Sequence, residues 1–287
     1  MQRRRTYLAA VGTAIATAGC FGFGGSNEDD DSGPDGQAEI TGTDTTTDSD
    51  VQSFGDPLSA GDAEVTLSKP AVQDSYFAQL AQDTIGVMAV DGMRFVFVAV
   101  ESTGDTAPEL DDFSLEAGDY SGRGWTAYES VTPARNPTGD GPYDPESGSG
   151  WLGFAVPAPL QEDHVISLSV GGETVRTRLP DSAGKALESP VAEFEITNFS
   201  VPESASSGDT VSVSLDVKNS NDTAGVFHGA LNAPETKLLN LEFEAGASTT
   251  WEGELTAEAN DEENNEMDLV LYAVGAREKA SVSLGDA

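Results

Sequence analysis

The chain has 287 residues, with 14 Lys and Arg against 50 Asp and Glu, a formal net charge of −36, and a single cysteine. A balance this acidic repels nucleic acid and anionic membrane surfaces at low salt. One cysteine leaves no internal disulfide and no multi-thiol metal cage.

The first stretch, Arg3-Arg4-Arg5-Thr6-Tyr7-Leu8 running into the small apolar segment Ala9 to Ala18, has the parts of an export signal: a charged start, a short apolar middle and a small-residue end. The apolar middle is about a dozen residues, short of the ~20 that a membrane-spanning helix needs. Arg4 and Arg5, followed by Thr6-Tyr7-Leu8, resemble a twin-arginine signal, a receptor-read address whose cargo usually crosses the membrane folded. Thr17-Ala18-Gly19-Cys20 resembles a lipobox, with Thr17 where Leu is commoner. That resemblance implies residues 1–19 as signal peptide and Cys20 as a lipidated new N-terminus; the plainer alternative is an ordinary cleaved signal with an incidental cysteine. Two lipid chains would anchor stably where one is marginal.

Residues 20–52 are Gly, Ser, Asp and Thr with almost nothing apolar. They are expected to be a disordered acidic linker with a reach of roughly 30 Å. The run Glu28-Asp29-Asp30-Asp31 lacks the fixed Gly and closing Glu of a calcium loop and reads as solvated spacer.

A first module is expected over residues 53–182. Strands are predicted at Glu64–Ser68, Ile85–Val90, Met93–Glu101, Phe113–Glu116, Trp125–Ser130, Trp151–Val156, Val165–Val170 and Glu173–Arg178, with one short helix within Asp74 to Asp83. Asp91-Gly92 and Gly171-Gly172 are two-residue hairpin signals. Arg94-Phe95-Val96-Phe97-Val98-Ala99-Val100 is apolar on both parities and predicts a central strand. Together with Phe113-Ser114-Leu115 and Gly150-Trp151-Leu152-Gly153-Phe154, it resembles the telokin-like, immunoglobulin-related domains of exported lipoproteins. That class implies a sandwich and is mostly non-catalytic. Thr132 to Gly150, rich in Pro and Gly, is long for a hairpin loop, and such loops often carry recognition. Trp125, Tyr128, Tyr143 and Trp151 near its ends could form a contact patch, while Trp125 and Trp151 also suit a core.

A second module is expected over residues 190–287, with strands at Val191–Phe199, Thr210–Lys218, Gly225–Leu231, Lys237–Phe243, Ser248–Leu255, Met267–Val274 and Glu278–Leu284. Val211, Val213, Leu215 and Val217 alternate with polar neighbours, a strand with one wet face. Val201-Pro202, Ser207-Gly208-Asp209-Thr210, Val217-Lys218-Asn219 and Trp251-Glu252-Gly253 resemble CARDB-like or fibronectin-III-like surface domains. Val100 to Ala107 aligns without gaps on Val217 to Ala224, a weak internal repeat in which a central strand runs into an Asp-Thr-Ala turn. The expected fold is therefore all-β: two tandem antiparallel Ig-like sandwiches behind a signal and linker.

Chemistry is sparse. His164 and His228 lie in different modules with no metal-ligand spacing. Neither a Gly-x-Ser-x-Gly elbow nor a phosphate loop is present. Asp261-Glu262-Glu263-Asn264-Asn265-Glu266 is the one compact acidic cluster, read as a hairpin tip with weak calcium binding as the sharper alternative. Asn198 and Asn221 begin N-glycosylation motifs, with Asn221, in a turn, the better acceptor.

From Cys20 onward, 11 Lys and Arg face 50 Asp and Glu, a net of 11 − 50 = −39. The acids are spread along the chain and lysine is scarce, which resembles haloarchaeal proteins, whose self-repulsion molar salt screens to about 3 Å. The sequence thus points to a non-enzymatic, lipid-anchored protein of the outer membrane face, with an envelope protein or polysaccharide as partner, no nucleic acid, no cofactor and no metal. The alternative is an accessory solute- or ion-binding lipoprotein.

Overall fold

The computed structural model describes residues 51–126, 133–135, 138, 141–260 and 265–285. The export signal with Arg4 and Arg5, the anchor Cys20, nearly all of the linker, Tyr128 and most of the acidic cluster lie outside them. The described chain is all-β, with one short α-helix.

In order, the strands are β1 Val51–Gln52, β2 Leu58–Ala60, β3 Ala63–Gln73, β4 Tyr76–Ala81, β5 Thr84–Met88, β6 Met93–Ser102, β7 Phe113–Ala117, β8 Tyr120–Arg123, β9 Pro133–Arg135, β10 Ser149–Pro157, β11 Val165–Val170 and β12 Glu173–Arg178. Helix α1 Asp181–Leu187 follows, and then β13 Phe194–Ser200, β14 Ser204–Ser206, β15 Thr210–Asn219, β16 Gly225–Asn232, β17 Lys237–Phe243, β18 Ser248–Thr256, β19 Glu266–Ala273 and β20 Ala276–Gly285. One core is sandwiched between the sheets β1-β12-β11-β7-β8 and β10-β6-β3-β2, and a second between β14-β20-β19-β16-β17 and β13-β15-β18.

The two sandwiches share one wiring. In each, a central strand (β6 or β15) pairs with an earlier strand (β3 or β13) and a later one (β10 or β18). In each facing sheet the order runs last strand, second-to-last, first after the centre, next: β12-β11-β7-β8 against β20-β19-β16-β17. Both sheets also end in a short parallel strand, β1 on β12 and β14 on β20, among otherwise antiparallel pairings. The aligned segments Val100–Ala107 and Val217–Ala224 therefore leave equivalent central strands.

Local sequence explains most strands. Val211, Val213, Leu215 and Val217 are buried at alternate positions of β15, while the residues between them face outward. Strand β6 is buried on both parities because both its faces are covered. Val96, Val98 and Val100 enter the first core, whereas Phe95 and Phe97 meet an aromatic cluster with Tyr76, Trp125 and Trp151. Gly171 and Gly172 take φ of 63° and 86°, the positive pair that a tight turn between β11 and β12 requires.

Several expectations change. Asp74 to Asp83 is not helical: it contains strand β4, whose Tyr76, Phe77 and Ala78 are buried and which pairs with β5 and β9 in a small third sheet. Asp91-Gly92 is a turn but not a hairpin, since β5 pairs with β4 while β6 pairs with β3 and β10. Only the start of the Trp125–Ser130 strand is described, and there Trp125 makes a single bridge to Gly153. Val51 and Gln52 belong to a strand, not to the linker. Helix α1, which runs past residue 182, buries Ala183 and Leu187 in the first core. Strands β18 and β19, which flank the acidic cluster in sequence, lie in different sheets.

Candidate functional site

The residues with the most constrained polar chemistry gather where the β4–β5 hairpin of the first sandwich meets β16 of the second. Arg94 is the one buried charge on strand β6, whose other charge, Glu101, is exposed; Arg94 itself is 5% exposed. A guanidinium buried this far must be paired and hydrogen-bonded. Its Nε donates to Asp74 Oδ1 at 2.6 Å, one terminal nitrogen donates to the carbonyl of Ala186 near the end of α1, and the other donates to Pro190 O at 2.9 Å. The second carboxylate oxygen of Asp74 accepts from Ala192 N at 3.2 Å. One buried ion pair thus holds helix α1 and the connector between the sandwiches.

Across the junction, Ser75 Oγ and His228 Nδ1 share a hydrogen bond of 2.8 Å, and the Phe77 and His228 rings lie 5.0 Å apart. Burial pushes the His228 imidazole below its ordinary pKa, while Ser75 and the charge of Asp74 oppose the shift. Asn232, at the end of β16, then acts as a substitute strand. Ile85 N donates to its Oδ1 at 2.9 Å and its Nδ2 donates to Ile85 O at 2.7 Å, closing the open edge of β5. Gly225 makes room for the connector: a Cβ there would lie 2.4 Å from Ala192 Cβ and 3.2 Å from Asp74 Oδ2.

Two cavities open beside this joint. One, of about 650 Å³, is mixed, with Asp74, Arg94, Asp222, His228 and Asn240 facing Val72, Pro190 and Val226. The other, of about 720 Å³, is mainly apolar, with Val87, Met88, Val90, Val191, Phe194 and Val226 in its walls. A larger recess of about 1050 Å³ lies at β13, β15 and β18, but it is more open and has Ser and Glu side chains around it. The joint is the stronger candidate, because the buried Arg94 and His228 line a cavity there.

Of the residues named from sequence, His228 and Asn221 lie at the joint, and the contact-loop residues fall elsewhere. Tyr143 and Trp151 are 4% and 1% exposed, so neither offers a contact surface. Tyr143 packs edge-on against Phe113 and donates to Pro108 O at 2.8 Å. Burial, with Glu109, Asp112 and Asp144 nearby, raises its pKa to about 12. Trp151 and the half-buried Trp125 stand 5.9 Å apart in the aromatic cluster. His164, also buried, is held below its ordinary pKa by burial, against the opposing Leu160, Glu188 and Asp163. No group of three or more metal-ligating side chains suited to an ion occurs among the described residues. The sequence reading missed Asp74, Arg94, Ser75 and Asn232 as a group; the available signal was an arginine in a run of buried apolar residues.

No protein-family model matches this chain, and no curated protein matches it. Among solved structures, a β-glucosidase from Listeria innocua is similar in two crystal structures, a mutant with laminaribiose and the enzyme with isofagomine. Identity is 22% and 21% with TM-scores of 0.28 and 0.29, over 33% and 34% of this chain and 16% and 17% of the glucosidase. A β-sandwich protein from Clostridium difficile 630 is 12% identical with a TM-score of 0.28, over 44% of this chain and 91% of its own. The chain spans about a sixth of the glucosidase, and likeness at this level says nothing of activity.

Proposed function

We propose that this chain is a lipid-anchored protein of the outer face of the cell membrane with a non-enzymatic binding or structural role. The anchor reading rests on the Arg4-Arg5 signal and the Thr17-Ala18-Gly19-Cys20 box. The binding reading is carried by one observation: two sandwiches of the same wiring are fastened by the buried Asp74–Arg94 pair, the Ser75–His228 bond and the Asn232–Ile85 clasp, with cavities beside the fastening. A junction tied through side chains holds surfaces on both sandwiches in one arrangement, as presentation to an envelope protein or polysaccharide requires. The even spread of acids fits a halophilic cell.

The accessory solute-binding reading is favoured by the apolar cavity of about 720 Å³, a volume in the range of small-molecule sites. Thermal scans in molar salt across a metabolite panel separate the two readings. A ligand at 100 times its Kd stabilises by about 2.7 kcal/mol, and a flat panel removes the solute reading. For the anchor, Cys20→Ser is expected to release the protein into the medium; retention at the membrane overturns it. Deleting Thr132–Gly150 is a poor test of partner capture, because it removes the core residue Tyr143.

A further inference from the structure

Asn198-Phe199-Ser200 and Asn221-Asp222-Thr223 are both glycosylation motifs, and the fold treats them differently. Asn221 Nδ2, the atom a glycan would occupy, donates to Val191 O at 2.9 Å. Its Oδ1 accepts from Thr223 N at 3.2 Å, and its own N–H donates to Asn219 Oδ1 at 3.3 Å. Asn219 is wholly buried and holds the carbonyls of Thr223 and Glu244 through its Nδ2. The whole motif is therefore locked in a hydrogen-bonded turn, and Asn221 also lines the apolar cavity at the joint.

Asn198 is placed in the opposite way. It is exposed on β13, an end strand of its sheet, and its side chain makes no hydrogen bond with any described residue. A register shift between Ile196 and Asn198 interrupts the ladder beside it, which loosens the local pairing. The extended backbone turns Phe199 inward and puts the amide of Asn198 and the hydroxyl of Ser200 on the same exposed side. An enzyme that must read the amide and the hydroxyl together can reach both without unfolding anything. That matters for a cargo exported in the folded state, in which a locked turn stays locked.

We propose that Asn198 is the N-glycan attachment site of this protein and that the fold bars Asn221, the reverse of the order the turn signal suggests. The inference rests on the export reading. In the transfer, Asn198 Nδ2 bonds to the anomeric carbon of a sugar carried on a polyprenyl phosphate. The C–O bond to that phosphate breaks, and the proton lost from Nδ2 leaves with the lipid phosphate. No electrons are exchanged with an outside reagent.

The test is glycopeptide mass mapping of the full-length protein purified from its native membranes, alongside protease treatment of intact cells. The expected result is added sugar mass on the peptide containing Asn198, none on that containing Asn221, and loss of the glycan in Asn198→Gln. Sugar on Asn221, or a bare Asn198 in a protein that external protease reaches, overturns the assignment while leaving export standing. A protein that protease cannot reach, with both sites bare, overturns the export reading and this inference with it. The wild-type map decides between the sites even if Asn221→Gln fails to fold.

Discussion

Protonating His228 would place a cation in a nearly closed space against Ser75 and Phe77, with Asp74 as the carboxylate that faces it. Its folded pKa lies below the unfolded value of about 6.5, so the unfolded chain binds the proton first. The joint's contribution is complete above that pH and shrinks as pH falls from there toward the folded pKa. His164 shifts in the same direction for the same first reason, burial. Thermal midpoints in molar salt are therefore expected to fall between pH 7.5 and pH 5, and His228→Gln should flatten part of that slope; an unchanged slope would falsify the role given to His228. Asp74 offers a second test. Removing one partner of a buried ion pair costs about 3–5 kcal/mol, because the remaining charge stays buried without its counterion. Asp74→Ala should lose an amount of that order in urea unfolding at high salt. The double variant Asp74→Ala with Arg94→Met should lose less than the two single changes added together.

At the scale of elements, β5 is an edge strand whose open side is closed by a side chain instead of a neighbouring strand. Asn232→Ala leaves both polar groups of Ile85 without their partner, at about 1–3 kcal/mol. Hydrogen exchange at Ile85 should accelerate in that variant while exchange in β15 stays unchanged. Gly225→Ala strains the same joint sterically, since Ala192 Cβ and Asp74 Oδ2 must both give way. Overpacking of this kind costs about 1–3 kcal/mol, and a variant as stable as wild type would show that the connector moves freely. Elements with a clear local signal were legible from sequence: β15 through its alternating valines, β11 and β12 through the paired glycines, β6 through its apolar run. Strand β4 was not, because Tyr76-Phe77-Ala78-Gln79-Leu80-Ala81 also suits a helix face, and its second partner, β9, arrives more than fifty residues later. Helix α1 was missed because it is only seven residues of mostly small side chains. The joint lay beyond local reading for a related reason: Ser75 meets His228 across 153 positions and Asp74 meets Ala192 across 118, distances that no periodicity records.

For the whole molecule, a net charge of −36 makes salt part of the folding equation. The unfolding midpoint is expected to rise steadily as KCl goes from 0.1 M to molar levels, where screening falls from about 10 Å to about 3 Å. A protein that folds cooperatively and stays equally stable in dilute buffer would count against the halophilic reading. The shared wiring of the sandwiches has a mechanical corollary. In each, a short strand near its beginning runs parallel to its last long strand: Val51 and Gln52 beside Arg176 and Thr177, and Ser204 to Ser206 beside Ser283 to Gly285. Tension drawing the beginning of a sandwich away from its end acts along such a parallel pair, so it loads the rungs together in shear instead of opening them one after another. A tether upstream of Val51 with a partner pulling from the far side would meet a lengthwise catch at each sandwich.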